Sequence, residues 1–258
     1  ISALFDNARP DFAALKGDKL AAAKKAWEEE KDYEVVDELP FWFNGRGFIN
    51  KKRNRIYLYN AKKKKLQALT EPLFDVGSVK FCSKCGKVAY TGHTFNARRA
   101  QSSALYLYDV ETGETSCLVE DGTYSIGNFC FDNAHGEIVF SANPIKDGYP
   151  APGNNLYAVS LKGGKVEAVY EGIPEELGCT TGCDVRYGGG NSMKAVDGVL
   201  YLVTSYDNTS GLCSLKRGEK KLHHITAPSV GVDFFGVSEG RFFTVGLNGT
   251  KIQEVYEV

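Results

Sequence analysis

Apolar and polar positions alternate along most of this chain in short runs broken by turn residues. Four segments share one pattern: an aromatic-rich strand, a polar turn and a second apolar strand. The first is Ile56-Tyr57-Leu58-Tyr59-Asn60, a lysine run, then Leu66 to Thr70. The second is Leu105-Tyr106-Leu107-Tyr108-Asp109, a turn at Thr112-Gly113, then Cys117 to Val119. The third is Leu156-Tyr157-Ala158-Val159, a turn at Gly163-Gly164, then Val166 to Tyr170. The fourth is Leu212-Cys213-Ser214-Leu215, a turn at Arg217-Gly218, then Leu222 to Thr226. Between these units sits another hairpin, turning at Gly86, Gly136, Gly198 and Gly240. Glycine closes such turns because positive φ costs it nothing. The β-branched and aromatic residues on either side suit a pleated, half-buried surface.

Two hairpins per repeat of about 50 residues give four strands, which is one blade of a β-propeller. A solenoid would need shorter turns or a helix in each repeat. The expected fold is therefore an all-β, single propeller domain over residues 1–258, of about five four-stranded blades. Three blades are complete, at roughly 78–120, 125–170 and 192–226, and two incomplete ones flank them. Ser2-Ala3-Leu4-Phe5 reads as an isolated strand, and Ile252 to Val258 as the next aromatic-rich strand. Unpaired edges at incomplete blades template pairing with another chain, so self-association is expected. One stretch, residues 18–30, is rich in helix formers, with Asp18 placed as N-cap. Its apolar stripe of Leu20, Ala23 and Trp27 is narrow. Such a helix is either a solvated insertion docked by one edge or a lid that meets a partner.

Composition narrows the function classes. Hydrophobic residues make up 43% and charged residues 24%, as in ordinary globular proteins. The net charge of −1 lacks the basic excess of a nucleic-acid binder. No apolar run approaches the roughly 18 residues of a membrane span. Seven cysteines, an odd number scattered along the chain, fit a reducing compartment, so a cytoplasmic location is expected. The first residue, Ile1, implies an upstream segment, of which a signal peptide is one option.

Candidate chemistry is sparse. Gly236-Val237-Ser238-Glu239-Gly240 fits the G-x-S-x-G elbow of serine hydrolases, but a strand-like run follows it and no histidine lies beyond. Ser238 therefore reads as a turn residue. Cys82-Ser83-Lys84-Cys85 and the pair Cys179 and Cys183 have metal-ligand spacing, yet they fall about two blades apart, and a chance turn is expected. His93, His135, His223 and His224 have no acidic partner at a recognisable spacing. Lys62 to Lys65 form a solvated hairpin tip. Glu175-Glu176 follow Pro174 in a loop. No catalytic residue, metal or cofactor is expected. Two loops carry the functional candidates. Phe41-Trp42-Phe43-Asn44-Gly45-Arg46 clusters three aromatics with an arginine, which suits either packing between blades or an interface or ligand mouth. Arg186-Tyr187-Gly188-Gly189-Gly190-Asn191 is a glycine-rich connection between strands, either a simple loop or a gating one.

The run Asp37-Glu38-Leu39-Pro40-Phe41-Trp42-Phe43-Asn44-Gly45-Arg46-Gly47-Phe48-Ile49, with Lys51-Lys52-Arg53 and the first aromatic strand after it, is distinctive. It resembles a stretch in the N-terminal propellers of prolyl oligopeptidase-family serine peptidases, in the acylaminoacyl-peptidase-like and dipeptidyl-peptidase-like branch. The blade pattern resembles the same family over nearly the whole chain. The family's Ser-Pro-Asp-Gly turn is here Ser83-Lys84-Cys85-Gly86, Val196-Asp197-Gly198 and their counterparts, and about five of the usual seven blades are visible. The resemblance implies a non-catalytic propeller that covers an active site, filters peptide substrates and contributes loops around them. It implies a C-terminal α/β-hydrolase domain as partner, with a Ser/Asp/His triad on residues outside this chain. The alternative is a stand-alone propeller that serves as a binding scaffold for a protein or ligand.

Overall fold

The computed structural model describes residues 1–181, 188–227 and 229–258. The repeat predicted from the strand pattern is present as five antiparallel sheets. The first orders Ser2–Asp6, Lys52–Asn60 and Lys65–Ala68. The second orders Phe74–Cys82, Lys87–Thr94, Ala104–Asp109 and Thr115–Val119. The third runs Tyr124–Asp132, Glu137–Lys146, Leu156–Ser160 and Glu167–Tyr170. In the fourth, Met193–Val196, Val199–Tyr206, Thr209–Lys216 and His223–His224 follow each other, and the short Glu176–Leu177 also pairs with Val199–Tyr206. The fifth has three strands, Gly231–Ser238, Arg241–Leu247 and Glu254–Glu257. Three complete blades and two three-stranded ones are what the hairpin count predicts.

Ser2–Phe5 is not isolated, however. It pairs with Lys52–Asn60, Ser2 opposite Ile56 and Asp6 opposite Lys52. By the order of the complete blades it is the second strand of the first sheet, and residues 7–51 form an insertion between second and third strands. The N-terminal run could not show this pairing, because its partner lies beyond the whole insertion.

The chain divides into two compact units, Ile1–Val79 with Tyr90–Gln101, and Lys80–Ala89 with Ser102–Val258. In the first unit the helix runs Gly17–Glu29 and buries no residue; Leu20, Ala23 and Trp27 are its half-buried edge. Its cap position is Lys16, without a side-chain cap bond. Asp18 is thus the second helical residue rather than the N-cap, and its charge faces the positive end of the helix dipole. The unit is held by charge as well as by apolar packing. Glu38 and Arg53 are fully buried, with Arg53 Nη2 donating to Glu38 Oε1 at 2.7 Å and to the Phe95 carbonyl at 3.1 Å. The guanidinium carbon sits 3.6 Å from the centre of the Phe95 ring.

The second unit is held by apolar layers between blades. Leu105, Phe129, Ile138, Phe140 and Tyr157 form one cluster, and Leu156, Leu202, Cys213 and Leu215 form the next. Leu105, Phe129, Ile138 and Phe140 are each 0% exposed. Burying each such side chain contributes about 1.5–3 kcal/mol. The turn glycines do what the sequence requires of them: Gly86, Gly136, Gly198 and Gly240 have φ of 65, 67, 78 and 76°. No helix among the described residues is long and apolar enough to cross a membrane.

Candidate functional site

Within the second unit, the ends of four first strands converge on a cavity of about 930 Å³. Lys80 and Cys82, Cys130 and Asp132, Lys194 and Val196, and Val237 come from successive blades. Consecutive residues of these strand ends line the space, Phe81, Phe131 and Ala195 among them, and the following turns form the rim. Lys80 is the central charge. Its Nζ donates to Asn191 Oδ1 at 3.1 Å and lies 5.5 Å from the centre of the Phe129 ring. Burial lowers its pKa from the usual lysine range. Among the described residues no carboxylate forms an ion pair with it.

The rim turns share one device with different atoms. After the third blade's first strand, Asp132 Oδ1 accepts the backbone N–H of Ala134 at 3.1 Å. After the second blade's first strand, Cys82 takes that place, and its Sγ accepts the Cys85 N–H at 3.3 Å. The Cys82 thiol in turn donates to Asn133 Oδ1 at 3.2 Å. Burial, and then the Cys82 thiol beside it, pushes the Cys85 thiol up to about 11. Burial pushes Cys130 up to about 12. Burial thus disfavours the thiolate form at both. Cys179 is elsewhere, bonded to Thr181 and Ser210, so Cys82 and Cys85 share no ligand set with it; Cys183 lies outside the described residues.

The G-x-S-x-G imitation is a hairpin. Ser238 pairs with Arg241 across Glu239 and Gly240, and Arg241–Leu247 is a strand. An elbow needs a helix there.

The aromatic candidates form their own hairpin in the first unit. Trp42–Phe43 pairs with Gly47–Phe48, with Gly45 and Gly47 at φ of 73 and 66°. Phe41 and Phe48 stack at 6.5 Å. Phe41, Trp42 and Phe43 are 39, 51 and 41% exposed, and Asn44 and Arg46 at the tip are exposed too. These rings are therefore not core. The hairpin's base is anchored by Glu38, whose carboxylate accepts the Lys51 N–H at 2.8 Å besides holding Arg53. Burial alone would raise that carboxyl, but Arg53 and Lys51 outweigh it and hold Glu38 below its ordinary value. Of the second candidate loop, Arg186 and Tyr187 lie outside the described residues.

Three histidines do have acidic partners, contrary to the sequence reading. His135 Nδ1 lies 2.7 Å from Asp132 Oδ2, and His223 Nε2 lies 3.2 Å from Glu219 Oε2. His224 Nε2 lies 2.9 Å from Glu175 Oε1. The first two are separated by three and four residues along the chain, the third by 49. Only the fold brings the third pair together.

No family model matches the sequence, and no curated protein does. Solved structures do match by shape. Pyrococcus horikoshii acylaminoacyl peptidase aligns over 88% of this chain and 33% of its own, at 18% identity and a TM-score of 0.64. A puromycin-hydrolyzing peptidase of Mycobacterium tuberculosis aligns over 84% of this chain and 33% of its own, at 15% identity and a TM-score of 0.58. TolB from Acinetobacter baumannii aligns over 79% and 46%, at 12% identity and a TM-score of 0.53. This chain thus spans about a third of the length of the two peptidases it matches. At these identities the similarity is one of fold: the chain is a β-propeller of four-stranded blades, similar to a part of acylaminoacyl peptidase, as its sequence resemblance implied.

Proposed function

We propose that this chain is the non-catalytic propeller of a serine peptidase, which shields an active site and admits or positions peptides for a C-terminal α/β-hydrolase domain. The observation that carries this reading is the cavity of about 930 Å³ at the converging first strands, on a fold similar to that of two peptidases. Its lining suits an extended peptide. Lys80, Asn191 and Asn133 offer donors to carbonyls, and Val196 and Val237 offer apolar contact. The exposed hairpin of Phe41, Trp42, Phe43, Asn44 and Arg46 is the candidate surface for the hydrolase domain or for bound peptide, and the Arg186-Tyr187 loop is the second candidate. Aromatic rings flanking an arginine are typical of interface anchors. The second reading is a stand-alone scaffold that binds a protein or ligand in the same cavity.

One measurement tests what the two readings share, and a second separates them. The isolated chain should leave a serine-reactive fluorophosphonate unreacted, since among the described residues no serine is bonded to an Asp/His pair that could activate it. Stoichiometric labelling lost in Ser238→Ala would refute the proposal. The reading frame beyond Val258 should encode a G-x-S-x-G elbow followed by aspartate and histidine; a frame without them favours the scaffold.

A further inference from the structure

The cluster around His224 has no part in the function proposed above. Cys213 and His224 face each other across an antiparallel strand pair, so the sheet itself sets the thiol 3.3 Å from imidazole Nδ1. Glu175, from the connection between the third and fourth blades, reaches Nε2 of the same ring at 2.9 Å. Thr204, on the neighbouring strand, bonds the Glu175 carboxylate and lies 3.2 Å from the Cys213 sulfur. The Tyr206 ring meets the His224 ring edge-on at 4.5 Å. One ligand atom each from Glu175, Cys213 and His224 lies within 4.8 Å of the others.

The charge balance of this cluster is open. The Glu175 side chain is only 15% exposed, and among the described residues no lysine or arginine pairs with it. The other convergent cluster, Asp132, His135 and Glu137, differs in this respect. There Arg217 holds Glu137 through Nη1 at 2.7 Å and Nη2 at 3.2 Å, and Asp132 is spent on its turn and on His135. This half-buried carboxylate, held by an imidazole and the Thr204 hydroxyl and by no lysine or arginine, still has lone pairs to offer a cation.

We propose that Glu175, Cys213 and His224 form a binding site for Zn²⁺. Thiolate, imidazole and carboxylate together are a borderline-soft set that suits zinc better than magnesium or calcium. One carboxylate and one thiolate neutralise a divalent cation, and the imidazole gives it a single nitrogen: Nδ1, on the Cys213 side, with the Glu175 carboxylate exchanging its Nε2 contact for the ion. Binding breaks the Cys213 S–H bond, forms a Zn–S bond and releases one proton to solvent. Three protein ligands leave a fourth position for water. Thr204 and Tyr206 hold the ligands from behind. His224, with its side chain 38% exposed, gives the ion a way in. The bound ion would tie the two-residue strand His223–His224 to the connection from the preceding blade.

The test uses the 258-residue chain, freed of metal by chelator and titrated with Zn²⁺ alone, with calorimetry and proton release as readouts. Co²⁺ serves as the spectroscopic probe. One equivalent should bind, one proton should leave per ion, and Co²⁺ should give a thiolate charge-transfer band. Thr204→Val should weaken binding about 10–100-fold. His224→Gln should abolish it, and Cys82→Ser should leave it unchanged. Cys213 is buried, so Cys213→Ser is informative only with the circular dichroism of the parent; the exposed His224 is the deciding variant. The absence of binding at micromolar Zn²⁺ overturns the site. Binding that survives His224→Gln but is lost in Cys82→Ser overturns it equally, by placing the ion at the other thiols.

Discussion

Ile56-Tyr57-Leu58-Tyr59-Asn60 and Leu105-Tyr106-Leu107-Tyr108-Asp109 are almost the same sequence, each is the third strand of its blade, and they are buried quite differently. In the second blade Leu105, Leu107 and Tyr108 are 0, 3 and 6% exposed. In the first, Ile56 is buried, but Leu58 and Tyr59 are 36 and 48% exposed. The residues just before are buried in both blades but differ in kind. Arg53 and Arg55 are buried where the second blade places Ser102 and Ala104 at the same repeat positions. Arg55 donates to the Thr70 carbonyl and lies 4.8 Å from the centre of the Phe5 ring. An alternating pattern sets strand and pleat; what covers each face depends on the neighbouring element. One blade is anchored through an arginine pair and a carboxylate, the other through leucines.

The contrast breaks most sharply at the ion pair. Glu38→Ala leaves Arg53 buried and uncompensated, which should cost about 3–5 kcal/mol. Thermal unfolding of the variant checks this, and a loss below about 1 kcal/mol would show the pair to be wetter than its burial implies. Next comes the matched pair of leucines. Leu105→Ala should cost about 2–5 kcal/mol by cavity formation, whereas Leu58→Ala should stay within about 0.5 kcal/mol. Equal costs would mean that the exposed half of the first strand is covered in solution.

Acidification sharpens the comparison further. The Glu38 pKa is lowered in the folded state, so its stabilisation is complete above the unfolded carboxyl range and is lost as pH falls through the folded value. In the second unit Glu137 has the opposite sign, because burial raises it against the pull of Arg217. Its protonation therefore relieves a cost as pH falls. Amide exchange followed from neutral pH downward should show the first unit opening before the second, and Glu38→Gln should flatten that difference.

The smallest effect concerns a hairpin tip. Gly113 and Gly218 close their turns at φ of 77 and 87°, while Lys64 does so in the first blade at φ of 50°. A side chain there costs roughly 1–2 kcal/mol, and glycine's extra chain entropy offsets about half of it. Lys64→Gly should therefore stabilise by about 0.5–1 kcal/mol, read as a raised Tm.

The hairpins and their turn glycines were legible in the sequence because they are local: strand, turn and strand lie within a dozen or so residues. The candidate sites were less so. The exposure of Phe41, Trp42 and Phe43 depends on what does not pack against them, which a composition cannot report. The Glu38–Arg53 pair was visible only as two charges within a family-like run. The Glu175, Cys213 and His224 cluster joins positions 38 and 11 residues apart, and half of it had a signal. Cys213 and His224 sit in adjoining strands about the Gly218 turn, so a register count would have set them opposite each other.

The insertion between Ser2–Asp6 and Lys52–Asn60 has a kinetic consequence. The complete blades are assembled from short hairpins, whose closure costs little entropy. The first sheet must instead close a loop over residues 7–51 before its N-terminal strand gains a single ladder bond. That closure costs about 2 kcal/mol more than a four-residue turn, and such non-local pairing is slow. During refolding the amides of Ser2–Asp6 should then be the last ladder to become protected, after the leucine-cored blades have formed.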